Sequence, residues 1–138
     1  MSTATCNCGA LRVEVTGDPV RVAVCHCLAC QRRTGSVMHN GSRWHKSQVR
    51  IEGEHKVYAR IADSGFEIRF HFCPNCGSSV FWEGDRGPDY CGIAVGCFAD
   101  PKFPAPVYSA YEEAMHPWLG LAGAREHYPQ GRPANMPA

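Results

Sequence analysis

The sequence predicts a mainly β domain that is held together by bound metal. Three observations support this prediction: short apolar segments alternate with polar residues along most of the chain, helical periodicity is scarce, and nine cysteines occur in 138 residues. A chain of this length is expected to form one domain of ordinary size, so two full domains are excluded.

The predicted strands are short segments rich in β-branched and aromatic residues. They cover residues 11–15, 20–24, 48–52, 56–61, 66–72, 79–82 and 90–98. The pattern is clearest in 66–72, where four large apolar residues alternate with Glu67, Arg69 and His71. A turn at 63–65 joins this segment to 56–61, which predicts a hairpin.

Two further segments have distinct patterns. Residues 90–98 place Gly92, Ala94 and Gly96 on one face, which predicts that another group lies close to that face. Helix is expected only for a turn or two after Cys30 or near 109–115. We predict a domain over residues 1–121 and a C-terminal tail over 122–138, because the latter is rich in Pro and Gly and has no periodicity.

The charge balance limits the classes of partner. Lys and Arg number 14 and Asp and Glu 13, so a formal charge of +1 provides no net field for nucleic acid or an acidic membrane surface. No apolar run approaches the ~20 residues that span a bilayer, and the first residues lack an export signal. We therefore expect a soluble, cytoplasmic protein whose partners are neither nucleic acids nor membranes.

Seven of the nine cysteines lie in three short loops, at spacings typical of metal ligands. The first and third loops each end in Cys-Gly, and a glycine after the last ligand lets the backbone curl and direct N–H groups at sulfur. We therefore pair them as one closed four-thiolate zinc site, with ligands Cys6, Cys8, Cys73 and Cys76. The alternative is four buried free cysteines. The spacing also fits iron–sulfur clusters, but nothing in the sequence favours one over zinc.

The central loop differs because Cys25, Cys27 and Cys30 offer only three thiolates. A zinc ion with three protein ligands keeps a fourth position for water or substrate, which points to chemistry. The alternative is a second closed site, completed by Cys97, Cys91 or a histidine. Arg32 and Arg33 follow directly. They either offset the thiolate charge and bind a substrate carboxylate, or are simply solvated.

In chain order, these loops and three later motifs resemble the glutathione-dependent formaldehyde-activating enzyme family, which also includes centromere protein V. The matching motifs are Cys6-x-Cys8-Gly9, Cys25-His26-Cys27-x-x-Cys30-x-Arg32-Arg33, Phe72-Cys73-x-x-Cys76-Gly77, Gly96-x-Phe98-x-Asp100-Pro101 and Pro117-Trp118. The chain departs from the family pattern at Cys97, where a hydroxyl residue is common, and at Val107-Tyr108, where a histidine is common.

The resemblance implies a fold of stacked antiparallel sheets, similar to the small Rab nucleotide-exchange-factor-like zinc proteins. It also implies two zinc ions per chain, a structural one on Cys6, Cys8, Cys73 and Cys76 and a more labile one on Cys25, Cys27 and Cys30. The implied activity is the addition of glutathione to formaldehyde, which gives S-hydroxymethylglutathione. In the reverse direction the enzyme acts as a carbon–sulfur lyase.

Three functions follow from these observations. The first is a zinc-dependent enzyme acting on an aldehyde and a low-molecular-weight thiol such as glutathione, with Arg32 and Arg33 as substrate-binding residues. The second is a non-catalytic, zinc-stabilised binding module that uses an exposed sheet. The third is a redox protein with Cys97 as nucleophile. The sequence leaves the identity of the thiol and the oligomeric state open.

Overall fold

The computed structural model describes residues 1–133, and over this range the fold is mainly β, with two sheets and one α-helix. The predicted fold class is therefore confirmed. The strands are β1 Ser2–Thr5, β2 Arg12–Val15, β3 Arg21–Cys25, β4 His39–His45, β5 Val49–Glu52, β6 Lys56–Ile61, β7 Glu67–Phe72, β8 Ser79–Gly84, β9 Tyr90–Ala94, β10 Tyr108–Ala110 and β11 Glu126–His127. Helix α1 spans Leu28–Thr34, and 3₁₀ turns cover Lys46–Gln48, Val95–Phe98 and Glu112–Ala114.

The described chain divides into two compact units. The first comprises Met1–Val20 and Ser42–Phe103, and the second comprises Arg21–Gly41 and the residues from Pro104 onward. The predicted boundary between a domain at 1–121 and a tail at 122–138 stays a prediction. No helix in the described part of the chain is long and apolar enough to cross a membrane.

The first unit contains a small sheet with the strand order β1-β2-β5 and, from the larger sheet, the order β9-β8-β7-β6. All of these pairs are antiparallel. Its core consists of apolar residues from both groups of strands, because alternate side chains turn inward. The fully buried members include Leu11, Val13, Val15, Val80 and Ile93.

The prediction of one strand over residues 90–98 is wrong for the second half of that segment. Strand β9 ends at Ala94, and the 3₁₀ turn Val95–Phe98 carries Phe98 into the core, where its ring lies 6.1 Å from Trp44 and 4.7 Å from Phe103. The expected close approach is found at Gly92. A Cβ atom there would collide with the indole of Trp82 on the neighbouring strand.

The second unit contains β3, β10 and β11 in the order β11-β10-β3, with α1 directly after β3. Both of these pairs are parallel, unlike the antiparallel pairs predicted. Strand β11 lies inside the segment predicted as a tail, and the Tyr128 N–H donates to the Ser109 carbonyl at 2.8 Å. The last part of that segment, 134–138, lies outside the described residues.

Candidate functional site

The structure brings Cys6, Cys8, Cys73 and Cys76 together in the first unit. Their sulfur atoms all lie within 4.8 Å of one another, with 3.6 Å between Cys6 and Cys8 and 3.7 Å between Cys8 and Cys73. Four sulfurs bound to one zinc ion at ~2.3 Å in a tetrahedron are about 3.8 Å apart. The donor set therefore fits a four-coordinate metal ion.

The backbone of both loops supports this cluster. Gly9 and Gly77 have φ of 82° and 78°, a region that favours glycine. Their N–H groups donate to the Cys6 carbonyl at 3.1 Å and the Cys73 carbonyl at 2.8 Å, which closes each loop. The Leu11 N–H also points at the Cys6 sulfur, at 3.2 Å. The predicted turn of the backbone after each final ligand is thus present.

Hydrogen bonds favour the thiolate form of Cys76 and Cys8. At Cys73 a backbone hydrogen bond acts to lower the pKa, but burial and the sulfurs of Cys6 and Cys8 raise it. The Ser78 hydroxyl lies 3.3 Å from the Cys76 sulfur and, together with backbone N–H groups of Ser78 and Cys8, lowers the pKa of Cys76 to about 5. The pKa of Cys8 is lowered chiefly by a hydrogen bond from Asn75. Since a metal ion binds the thiolate and not the thiol, these loops are prepared for metal.

Cys25, Cys27 and Cys30 form a second cluster, which lies wholly within the second unit. Cys25 ends β3, Cys27 caps the N-terminus of α1 and Cys30 is a buried residue of its first turn. Their sulfur atoms also lie within 4.8 Å of one another. The Cys27 sulfur accepts the Cys30 N–H at 3.3 Å, which fixes it at the start of the helix.

A bound cation would stabilise the thiolate forms of the second cluster. Hydrogen bonds to the Cys27 and Cys30 sulfurs, with burial, raise the pKa of Cys25 far above its ordinary value. The three neighbouring thiols therefore do not all lose their protons unless a positive charge offsets the repulsion between the thiolates. A divalent ion between them provides that compensation, so the donor set fits a metal with three protein ligands.

The two predicted arginines are placed differently. Arg32 is exposed, whereas Arg33 is half-buried and its positive charge acts on the pKa of Cys30. Sequence reasoning missed His39, at the start of β4. Burial and then the charge of Arg33 lower the pKa of His39 to about 3, while the Cys27 sulfur acts in the opposite direction. No spacing signal identifies His39, because it follows Cys30 by nine residues and lies outside every motif.

His26 lies between two cysteines of the second cluster but is not part of its ligand set. Its fully buried ring places Nε2 2.9 Å from the Ser109 hydroxyl. Its carbonyl accepts a hydrogen bond from the Gln31 side chain at 2.9 Å. That amide also donates to the Ala114 carbonyl at 3.0 Å and its oxygen lies 3.0 Å from Nε2 of His116, so Gln31 ties the cysteine loop to residues 114–116.

The remaining candidates lie elsewhere. Cys97 and Cys91 belong to the first unit, and neither joins the ligand set of the second cluster. Burial, followed by the sulfurs of Cys6 and Cys76, raises the pKa of Cys97 to about 11, which makes it a weak nucleophile. Trp118, from the Pro117-Trp118 motif, is exposed, and its ring centre lies 5.8 Å from that of His116.

Comparison with known proteins identifies the family to which the chain is similar. The family model described as glutathione-dependent formaldehyde-activating enzyme matches residues 1–114. Among curated proteins, no match was found. Among solved structures, a Rhodobacter sphaeroides protein determined as a Northeast Structural Genomics target is similar in fold, with a TM-score of 0.57. It is 23% identical, and the match covers 72% of this chain and 92% of that one.

Proposed function

Because the chain belongs to the glutathione-dependent formaldehyde-activating enzyme family, we propose that it is a zinc-dependent carbon–sulfur lyase. Its substrates are glutathione and formaldehyde, and their adduct is S-hydroxymethylglutathione. The observation that carries the proposal is the cluster of Cys25, Cys27 and Cys30, which offers three sulfur donors to one ion. Three protein ligands are typical of catalytic zinc sites, whereas four close a structural site.

The reaction forms and breaks one carbon–sulfur bond. The thiol loses its proton, its sulfur bonds to the aldehyde carbon, and the carbonyl π pair moves to the oxygen, which takes up a proton. The reverse reaction breaks the same bond. A zinc ion on the three cysteines would supply the positive charge that keeps the substrate sulfur ionised at neutral pH.

The chain's own residues bind and orient the substrate. We assign Arg33 to a carboxylate of glutathione, because it is the arginine whose charge reaches the cysteine cluster and its guanidinium matches a carboxylate in two hydrogen bonds. Arg32, exposed on the last turn of α1, is assigned a secondary contact at the rim of the site.

The cysteines also support a reducing compartment. All nine are free, as expected where thiols stay reduced. We therefore propose that the protein is located in the cytoplasm. We also propose that each chain binds two zinc ions, one on each cysteine cluster.

The decisive experiment compares rates, because formaldehyde adds to thiols without a catalyst. Adduct formation should be followed by NMR exchange at fixed glutathione for the intact protein, the zinc-stripped protein and Cys27→Ser. We expect acceleration above background only for the intact protein, with a loss of at least about 100-fold in Cys27→Ser, because one of three sulfur ligands is removed while serine keeps a side-chain acceptor at the helix N-cap.

Cys97→Ser is the matched control, since it also removes one thiol but lies outside the second cluster. Its rate should equal that of the intact protein. Equal rates for the intact protein and Cys27→Ser would refute the lyase. Zinc-dependent glutathione binding without any acceleration would instead support the binding module.

A further inference from the structure

His26, which lies between two ligands of the second cluster, is held by hydrogen bonds at both of its backbone polar groups. Its N–H donates to the Ala110 carbonyl at 3.0 Å, and its carbonyl accepts from the Gln31 side chain at 2.9 Å. Its ring is fully buried, and so is Ser109, whose hydroxyl lies 2.9 Å from the ring nitrogen Nε2. The backbone and the ring of this residue are thus fixed independently of any metal.

The pairing of β3 with β10 explains why the His26 ring meets Ser109. The two strands are parallel, with Val24 opposite Ser109 and Cys25 opposite Ala110. The N–H bond of His26 to Ala110 extends this ladder by one residue. Because successive side chains of a strand point to opposite faces, His26 lies on the face of Val24 and Ser109. Cys25 points to the other face, where its sulfur belongs to the cluster.

The hydrogen bonds around Ser109 decide which nitrogen of His26 carries a proton. The ionised Glu112 carboxylate only accepts, so the Ser109 hydroxyl donates to its Oε2 at 3.0 Å. The Ser109 oxygen is then the acceptor for the Nε2–H of His26. Burial lowers the pKa of His26, although the charge of Glu112 acts in the opposite direction, so the ring is neutral at pH 7 and carries one proton.

This arrangement avoids a buried N–H group without a partner. Nδ1 of His26 has no hydrogen-bond partner within the described residues. With the proton on Nε2, Nδ1 is only an acceptor, whereas the other tautomer would bury an unpaired donor, which is destabilising. Glu112 therefore selects, through Ser109, the tautomer in which the His26 ring is anchored.

We propose that Ser109 and Glu112 are positioning residues of the second metal site. Acting through the His26 ring, and not as ligands, they hold the segment from Cys25 to Cys27 so that both sulfurs face one ion. Loss of a group that orients metal ligands typically weakens metal binding by about 10- to 100-fold. The proposal rests on the proposed function only for the presence of a metal ion at this cluster.

The zinc affinity of the second cluster is the first test. Ser109→Ala removes both hydrogen bonds of the hydroxyl. It should weaken zinc binding there about tenfold, the lower end of the usual range, because His26 acts on its neighbours and is not itself a ligand. Competition with a chelator measures the affinity, and cadmium NMR shows whether the three-thiolate or the four-thiolate cluster is affected. Binding at the first cluster should be unchanged.

Ser42→Ala is the matched control for this variant. Ser42 is also a buried serine with two hydrogen bonds, which it donates to the Ile93 carbonyl and accepts from the Trp44 indole. It lies in the first unit, so its loss should lower stability without weakening zinc binding at the second cluster. Equal losses of that affinity in the two variants, or no loss in Ser109→Ala, would overturn the proposal.

The tautomer of His26 is a second readout, which a merely structural role of Glu112 would not change. Nitrogen NMR of the histidine-labelled protein should show a protonated Nε2 and an unprotonated Nδ1. Glu112→Gln introduces an amide that can donate to Ser109, which frees the hydroxyl to donate to Nε2, so the Nδ1–H tautomer should appear. Glu113→Gln removes the charge of the exposed neighbour and should leave the tautomer unchanged.

A protonated Nδ1 in the intact protein, or an unchanged tautomer in Glu112→Gln, would overturn the proposal. The first of these measurements needs only the intact protein, so it decides even where Ser109→Ala does not fold. Zinc affinity and tautomer are both measured without substrate. Weaker zinc binding in Ser109→Ala would therefore support the positioning role even if the intact protein showed no lyase activity. An intact second cluster that binds no zinc would overturn both proposals.

Discussion

At the residue scale, a chain of hydrogen bonds leads from the surface to the second cysteine cluster. The Ser109 hydroxyl donates to Glu112 at 3.0 Å, so its oxygen accepts the Nε2–H of His26. His127 places Nδ1 3.0 Å from both Glu112 oxygens. His26, held at its ring by Ser109 and at its carbonyl by Gln31, thereby fixes the loop between Cys25 and Cys27.

The outer end of this chain predicts a pH dependence of stability. The hydrogen bond to Glu112 raises the pKa of His127. Although burial acts to raise the pKa of Glu112, its bonds with His127 and Ser109 lower it. The His127 contribution is present below its ordinary pKa of about 6.5 and is lost as pH rises through the raised value. The Glu112 contribution is lost as pH falls through the lowered value.

His127→Gln should therefore lower the thermal midpoint at pH 5.5 and leave it nearly unchanged at pH 9. The loss should be small, because His127 is exposed. Calorimetry of the two proteins at matched zinc content measures the difference. Glu112→Gln should lower the midpoint at both pH values and more at pH 5.5, because it also removes the carboxylate that accepts from the Ser109 hydroxyl at every pH above the Glu112 pKa. A midpoint difference that is equal at both pH values would show that the ion pair contributes nothing.

At the element scale, the two Cys-Gly loops depend on backbone conformation. Gly77 has a φ of 78°, in the left-handed region, and a Cβ atom added there would have no atom within 4 Å. Gly77→Ala should therefore lower the free energy of unfolding only by the cost of the left-handed conformation, about 1 to 2 kcal/mol. Gly96→Ala is the control, since its Cβ also meets open space and its φ lies outside the left-handed region. Urea unfolding should show a loss for Gly77→Ala and less than about 0.5 kcal/mol for Gly96→Ala. Equal losses would remove the conformational explanation.

The same scale shows which strands the sequence could predict. Strand β6 has the predicted bounds because its hairpin turn and its apolar pattern agree. Strand β4 was missed because its inward positions include Ser42, a polar residue. Its hydroxyl donates to the Ile93 carbonyl and accepts the Trp44 indole N–H, both at 2.9 Å, so a polar core residue is satisfied by contacts that no local pattern reveals. Strands β10 and β11 are too short to show a period.

The candidate site also contains some features that the sequence could predict and others that it could not. Short spacings predicted the second cluster and each half of the first, because ligands that are two or three residues apart meet by local geometry. The shared Cys-Gly ending predicted that the two distant halves of the first cluster pair. His39 and Ser109 were missed, since neither belongs to a motif with a recognisable spacing and the surroundings of each depend on packing. Burial and hydrogen-bond direction are properties of the folded chain, and residue spacing does not encode them.

At the scale of the whole molecule, the two clusters constrain very different lengths of chain. Cys8 and Cys73, with sulfurs 3.7 Å apart, are separated by 65 positions, whereas the second cluster spans only Cys25 to Cys30. Closing a long loop removes more entropy from the unfolded chain than closing a short one. Metal on the first cluster therefore contributes more folding free energy.

This difference predicts opposite outcomes for two matched ligand substitutions. Cys73→Ser removes a fully buried ligand of the cluster that joins the two chain segments of the first unit. We expect loss of cooperative unfolding together with loss of one metal ion per chain. Cys27→Ser should lose the other ion while the first unit stays folded, because that cluster lies in the second unit. Mild chelation should likewise strip the three-ligand cluster first, since one ligand fewer holds that ion. Metal analysis with circular dichroism measures both effects, and unfolding of the first unit by Cys27→Ser would contradict the division of roles.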